Sequence, residues 1–93
     1  MSYSAERIET MLLDEIAACC PGLGPDELQP SASLTADLGL DSLCLTSLFS
    51  MVKAEIGPVE LSGWFIRASN QGTDTVASLA GYLANTDAAR RAA

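Results

Sequence analysis

The chain has 93 residues, nearly half of them hydrophobic but only 5% aromatic, with twelve acids against five bases and no histidine. A formal charge of −7 argues against nucleic acid and anionic membrane surfaces as partners, since both gather clustered Lys and Arg. Without an imidazole there is no Ser-His triad, no Cys-His dyad and none of the usual zinc ligand sets.

Helical spacing first emerges from about Ser4 to Cys20, where Ile8, Met11, Leu12, Ile16 and Cys19 share one face and Glu6, Glu9, Asp14 and Glu15 lie mainly elsewhere. Pro21-Gly22 ends it. The connection from Pro21 to Asp41 is rich in Pro, Gly and Ser, yet Leu23, Leu28, Leu34, Leu38 and Leu40 punctuate it. A loop so regularly supplied with leucines is expected to lie across the core and plug it, with a short helical turn around Pro25 to Leu28. The second helix is expected from Asp41 or Ser42 to Ile56, burying Leu45, Leu48, Phe49, Val52 and Ile56 before Gly57-Pro58 stops it. A short third helix is expected near Leu61 to Ala68, with Leu61, Trp64, Phe65 and Ala68 on one face and a break at Asn70-Gln71-Gly72. The last helix should run from about Asp74 to Asn85, capped by Asp74 or Thr75, with Val76, Leu79, Ala80 and Leu83 inward. Gly81 within it costs roughly 1 kcal/mol relative to Ala.

No strand pattern competes. The fold class is all-α, a four-helix bundle with a long loop between helices 1 and 2 and a short third helix. Residues 1–93 form a single domain of ordinary small size, with a core over about 5–85 and a tail at 86–93 expected to fray. The charge is uneven: residues 1–60 hold ten acids and two bases, Arg7 and Lys53. An acidic body of this kind suits basic patches on partners. Cys19, Cys20 and Cys44 are odd in number and lack metal-ligand spacing, so free thiols in a reducing compartment are expected over a strained vicinal disulfide. With no signal sequence, lipidation motif or membrane-length apolar run, a cytoplasmic location and a monomer are expected.

Asp37-Leu38-Gly39-Leu40-Asp41-Ser42-Leu43 carries the chemistry. Gly39 allows a tight backbone turn, Leu38 and Leu40 can anchor it, and Asp41 and Ser42 fall at the entry to the second helix. A helix N-terminus welcomes phosphate, so a serine there is a sensible point for a phosphodiester. It is equally a sensible N-cap, and spacing alone leaves both readings open.

The same seven residues, DLGLDSL, resemble the phosphopantetheine attachment motif of the acyl carrier protein family. The order of elements is similar too, over about residues 5 to 85. The resemblance implies that Ser42 carries a covalent 4'-phosphopantetheine and that Asp41 helps engage a phosphopantetheinyl transferase. It implies a carrier with no catalytic residues of its own, holding acyl groups as thioesters for acyl-loading, synthase and tailoring enzymes. Cargo would rest between the second and third helices near Phe49, Trp64 and Phe65, although these aromatics read more readily as ordinary core.

One departure narrows the expectation. Fatty-acid carriers have a strongly acidic second helix, whereas here Ser47, Lys53 and Ala54 stand where acids are usual. The partner-docking face is then expected to be apolar and hydroxylated, with Leu43, Cys44, Ser47 and Met51 as its residues. A carrier of polyketide or related secondary metabolism fits this better than one of fatty-acid synthesis. The nearest rival is a peptidyl carrier of a nonribosomal peptide pathway, whose motif usually has a glycine pair before the serine. Two further classes are a helical interaction module that has lost the arm and a small enzyme. The latter is poorly supported, since Cys44 has no evident cationic activator.

Overall fold

The computed structural model describes residues 3–86, so 87–93 of the tail expected to fray lie outside the described residues. The four helices are α1 (Ala5–Cys19), α2 (Ser42–Glu55), α3 (Ser62–Gln71) and α4 (Val76–Ala84). Among the described residues there is no strand, only an isolated antiparallel bridge between Ser33 and Thr75. The all-α fold expected from periodicity is the fold observed.

Helix α1 begins where Ser4, in extended conformation, accepts a hydrogen bond from the Arg7 N–H at 3.2 Å. That satisfies one of the otherwise orphaned first-turn donors. Ile8, Leu12 and Ile16, spaced by four, are fully buried, and each contributes on the order of 2 kcal/mol through removal of apolar surface from water. This stripe packs α1 against α4 and α2. Met11 and Cys19, expected on the same face, are only half-buried at its margins.

The crossing loop is ordered by its leucines as expected. Leu34, Leu38 and Leu40 are buried and Leu23 and Leu28 half-buried. The expected helical turn at Pro25 to Leu28 is instead a single hydrogen-bonded turn, closed by the Glu27 N–H on the Gly24 carbonyl at 3.0 Å. Further on, the loop is tied to the start of α4. The Val76 N–H donates to the Ala32 carbonyl at 3.1 Å, and the Ala77 N–H to the Pro30 carbonyl at 2.8 Å. In return, the Leu34 N–H donates to the Asp74 carbonyl at 2.8 Å. Loop carbonyls thus fill the role that a helix start otherwise leaves to side chains or water.

Two of the expected boundaries shift. Helix α3 runs through Asn70 and Gln71 rather than breaking there, and ends at Gly72 in the left-handed region (φ 70°). The Thr73 N–H then reaches back to the Ala68 carbonyl at 2.8 Å, the geometry in which glycine terminates a helix. Helix α4 starts after Asp74, because Thr75 is its cap and accepts from the Ser78 N–H at 3.0 Å. Val76, Leu79, Ala80 and Leu83 point inward as expected.

Asp74 has a different task. It is 2% exposed, and its carboxyl oxygens accept from the Ser33 hydroxyl (2.9 Å), the Thr35 hydroxyl (2.7 Å) and the Thr35 N–H (3.2 Å). Among the described residues no buried side-chain polar atom lacks a partner. Buried Ser33 and Asp74 are thus bonded to each other across the loop and the start of α4.

Candidate functional site

The crossing loop delivers the chain to α2 through a turn at Gly39 (φ 61°), pinned on both sides by buried Leu38 and Leu40. Asp41 follows as the N-cap, in extended conformation, and its Oδ1 accepts the Cys44 N–H at 2.8 Å. This bond holds the Asp41 carboxyl below the usual carboxylate range, because it favours the charged form. Ser42 is therefore the first residue inside α2 and not its cap.

That distinction decides what the serine hydroxyl is free to do. Ser42 is exposed, and among the described residues its hydroxyl makes no hydrogen bond, while its carbonyl accepts from the Thr46 hydroxyl at 2.7 Å. Capping, the bland reading of a serine here, belongs to Asp41. The Ser42 oxygen is left at the positive end of a helix with no structural duty.

The four residues expected on the docking face line two clefts. Leu43 is 78% exposed, Ser47 is exposed, and Cys44 is half-buried. With Asp41 and Cys19 these three line a cleft of about 320 Å³ at the foot of Ser42. Met51, one turn further along α2, is half-buried and lines a groove of about 350 Å³ between α1 and α2. Tyr3, Arg7, Met11, Glu15 and Glu55 share that groove, with the Arg7 guanidinium 4.5 Å from the centre of the Tyr3 ring.

The aromatic trio is divided as well. Phe49 and Phe65 meet edge to face across α2 and α3 at 5.9 Å. Trp64, however, is buried and stacks on Tyr82 of α4 at 6.0 Å. The tryptophan thus seals the α3–α4 seam rather than the gap between α2 and α3 where cargo was expected.

The cysteines gather beside the same cleft. All three are free thiols and half-buried. Cys19 donates to Glu15 Oε2 at 3.2 Å, and this bond, followed by burial, pushes its thiol up. The Cys44 thiol is pushed up to about 12, chiefly by its hydrogen bond with Cys20 and next by burial. Neither is the activated thiolate that nucleophilic catalysis requires. The proximity of Cys20 to Cys44 had no signal in the sequence, where adjacency pairs Cys20 with Cys19.

No helix of the described residues is long and apolar enough to cross a membrane, and among them no cluster of His, Cys, Asp or Glu is arranged to hold a metal ion. No protein-family model matches the chain, and no solved structure gives a significant match. Curated proteins do. Acyl carrier proteins of Nitratidesulfovibrio vulgaris strains DP4 and Hildenborough are 35% identical to it over 52 residues, and that of strain Miyazaki F is 36% identical over the same length. The match covers 56% of this chain and 62% of each relative, so the chain spans about six-tenths of the length of the curated relatives it matches. At 35% identity over about half of the chain, together with the four-helix fold, this similarity supports the acyl carrier protein family.

Proposed function

We propose that the chain is a carrier protein that accepts a 4'-phosphopantetheine arm on Ser42 and presents acyl groups to partner enzymes. The observation that carries this reading is the division of labour at the start of α2: Asp41 caps the helix, and the Ser42 hydroxyl stays exposed and unbonded. Similarity to acyl carrier proteins supports it independently.

The residues present suit the group. A phosphodiester on Ser42 Oγ would stand at the positive end of α2, above the cleft formed by Leu43, Cys44 and Ser47. When attached, the arm supplies a terminal thiol that holds acyl groups as thioesters. The chain itself orients and exposes. Gly39 and its flanking leucines fix the approach to α2, Asp41 keeps the first turn closed, and exposed Leu43 offers an apolar contact to an approaching enzyme. Asp41, exposed and held ionised, is suited to engage a metal-bound coenzyme A on a transferase. Among the described residues no base contacts the Ser42 hydroxyl, so its activation falls to that transferase.

The surface of α2 supports a partner set outside fatty-acid synthesis. Its exposed positions from Leu43 through Ser50 are Leu43, Thr46, Ser47 and Ser50, none of them charged. Recognition by shape and hydroxyl contacts suits a polyketide or related secondary-metabolite system better than long-range acidic steering.

Incubation with coenzyme A and a broad-specificity phosphopantetheinyl transferase, followed by intact mass measurement, tests the assignment. A gain of one phosphopantetheinyl group that disappears in Ser42→Ala is expected. An unchanged mass alongside an active control carrier would overturn it.

A further inference from the structure

Two thiols that lie far apart in the chain meet where α1 ends and α2 begins. Cys20 is the C-cap of α1, held by its N–H on the Ile16 carbonyl at 2.8 Å. Cys44 sits in the first turn of α2, held by its N–H on Asp41 Oδ1 at 2.8 Å. Their sulfurs are 3.3 Å apart although the residues are separated by 24 positions. The Cys19 thiol donates to Glu15 Oε2 instead. The carrier reading uses neither Cys20 nor the Cys44 sulfur for chemistry.

We propose that Cys20 and Cys44 are a reversible oxidation site, forming an intramolecular disulfide by exchange with a low-molecular-weight disulfide and so stapling the end of α1 to the first turn of α2. Both partners are held through their backbones, and closure brings the sulfurs from 3.3 Å to the roughly 2.05 Å of a sulfur–sulfur bond.

The exchange balances in two steps. The Cys20 thiolate attacks one sulfur of the reagent R–S–S–R, whose bond breaks, and the departing RS⁻ takes up a proton as RSH. Cys44, as thiolate, then attacks the Cys20 sulfur of the mixed disulfide and expels the second RS⁻, which is protonated in turn. The two protein thiols lose two protons and two electrons, and the reagent is reduced to two RSH. Either sulfur can be the donor in the hydrogen bond between the pair, so the roles of Cys20 and Cys44 can be exchanged, and capping either one as a mixed disulfide removes that bond and frees the other thiol for the second step.

The link would enclose the whole crossing loop together with Asp41 and Ser42, and it would add a covalent restraint to one wall of the cleft formed by Cys19, Leu43, Cys44 and Ser47. A restraint on the unfolded chain of this span raises thermal stability.

The test uses the reduced full chain without any group on Ser42, so its failure says nothing about the carrier reading. After equilibration with oxidised glutathione, free thiols are alkylated and non-reducing peptide maps are read by mass. The expected result is one intramolecular link between Cys20 and Cys44, with Cys19 alkylated, a thermal midpoint higher by several degrees, and full reversal by dithiothreitol. Cys19→Ser should oxidise as the parent does, and Cys44→Ser should form no intramolecular link. Three alkylated thiols beside an oxidised control dithiol protein would overturn the proposal, as would a link between Cys19 and Cys20 or between two chains. The map of the parent chain decides the matter even if a variant fails to fold.

Discussion

The Asp74 carboxyl group accepts the Ser33 hydroxyl at 2.9 Å across 41 positions of sequence. Its second oxygen takes both donors of Thr35. Replacing it by alanine would leave two hydroxyls and an amide without this acceptor, the Ser33 hydroxyl in a buried place where a missing bond is costly. Asp74→Ala is expected to lower unfolding free energy by about 2–3 kcal/mol, read as a lower urea midpoint. Asp74→Asn keeps one acceptor oxygen and should lose less. Equal stability of all three proteins would show that the network is incidental.

Gly81 offers the opposite experiment. It lies inside α4, and a Cβ built there meets nothing within 4 Å. Gly81→Ala is therefore expected to gain up to about 1 kcal/mol from helix propensity alone. Thermal melts of the two proteins decide it, and a loss of stability would mean that α4 has a close neighbour at this point.

Asp41 predicts an acid response. Its pKa is lowered from 3.8 on folding, mainly by the Cys44 N–H. The sign is that of a depressed carboxyl: its contribution is complete above 3.8 and disappears as pH falls below that value through the folded pKa. Asp41→Asn retains a capping oxygen without the charge. Its stability should therefore vary less than the parent's between neutral pH and about pH 3. Parallel denaturation curves over that interval, with an unchanged difference, would contradict the shift.

The uncharged exposed positions of α2 from Leu43 through Ser50 predict partner choice. Ser47 borders the cleft below Ser42, and Ala54 is exposed near the other end of the helix. Introducing Ser47→Glu and Ala54→Glu together should speed exchange with fatty-acid synthase enzymes and slow it with the native partners. Rates that stay the same with both sets would remove α2 as the deciding surface.

Much of this fold was legible because helical burial is periodic. Ile8, Leu12 and Ile16, or Val76, Leu79 and Leu83, declare their inward face within a dozen residues. Ser42 at a helix start could be read from its motif, but not who caps. Serine and aspartate are both good N-caps, and only the placement of Asp41 Oδ1 against the Cys44 N–H separates them. The role of Asp74 was out of reach for a related reason. As a residue beside Thr75 it reads as a helix cap, whereas its partners Ser33 and Thr35 arrive from a loop that local spacing does not position.

The idle oxygen of Ser42 has a thermodynamic corollary. Because it contributes no bond to the native state, a substituent placed on it displaces no stabilising contact, and the bare and substituted chains are expected to melt at nearly the same temperature. A swap of identities, with serine as the cap and aspartate beside it, would have coupled every attachment to a frayed helix. The arrangement found here decouples folding from derivatisation.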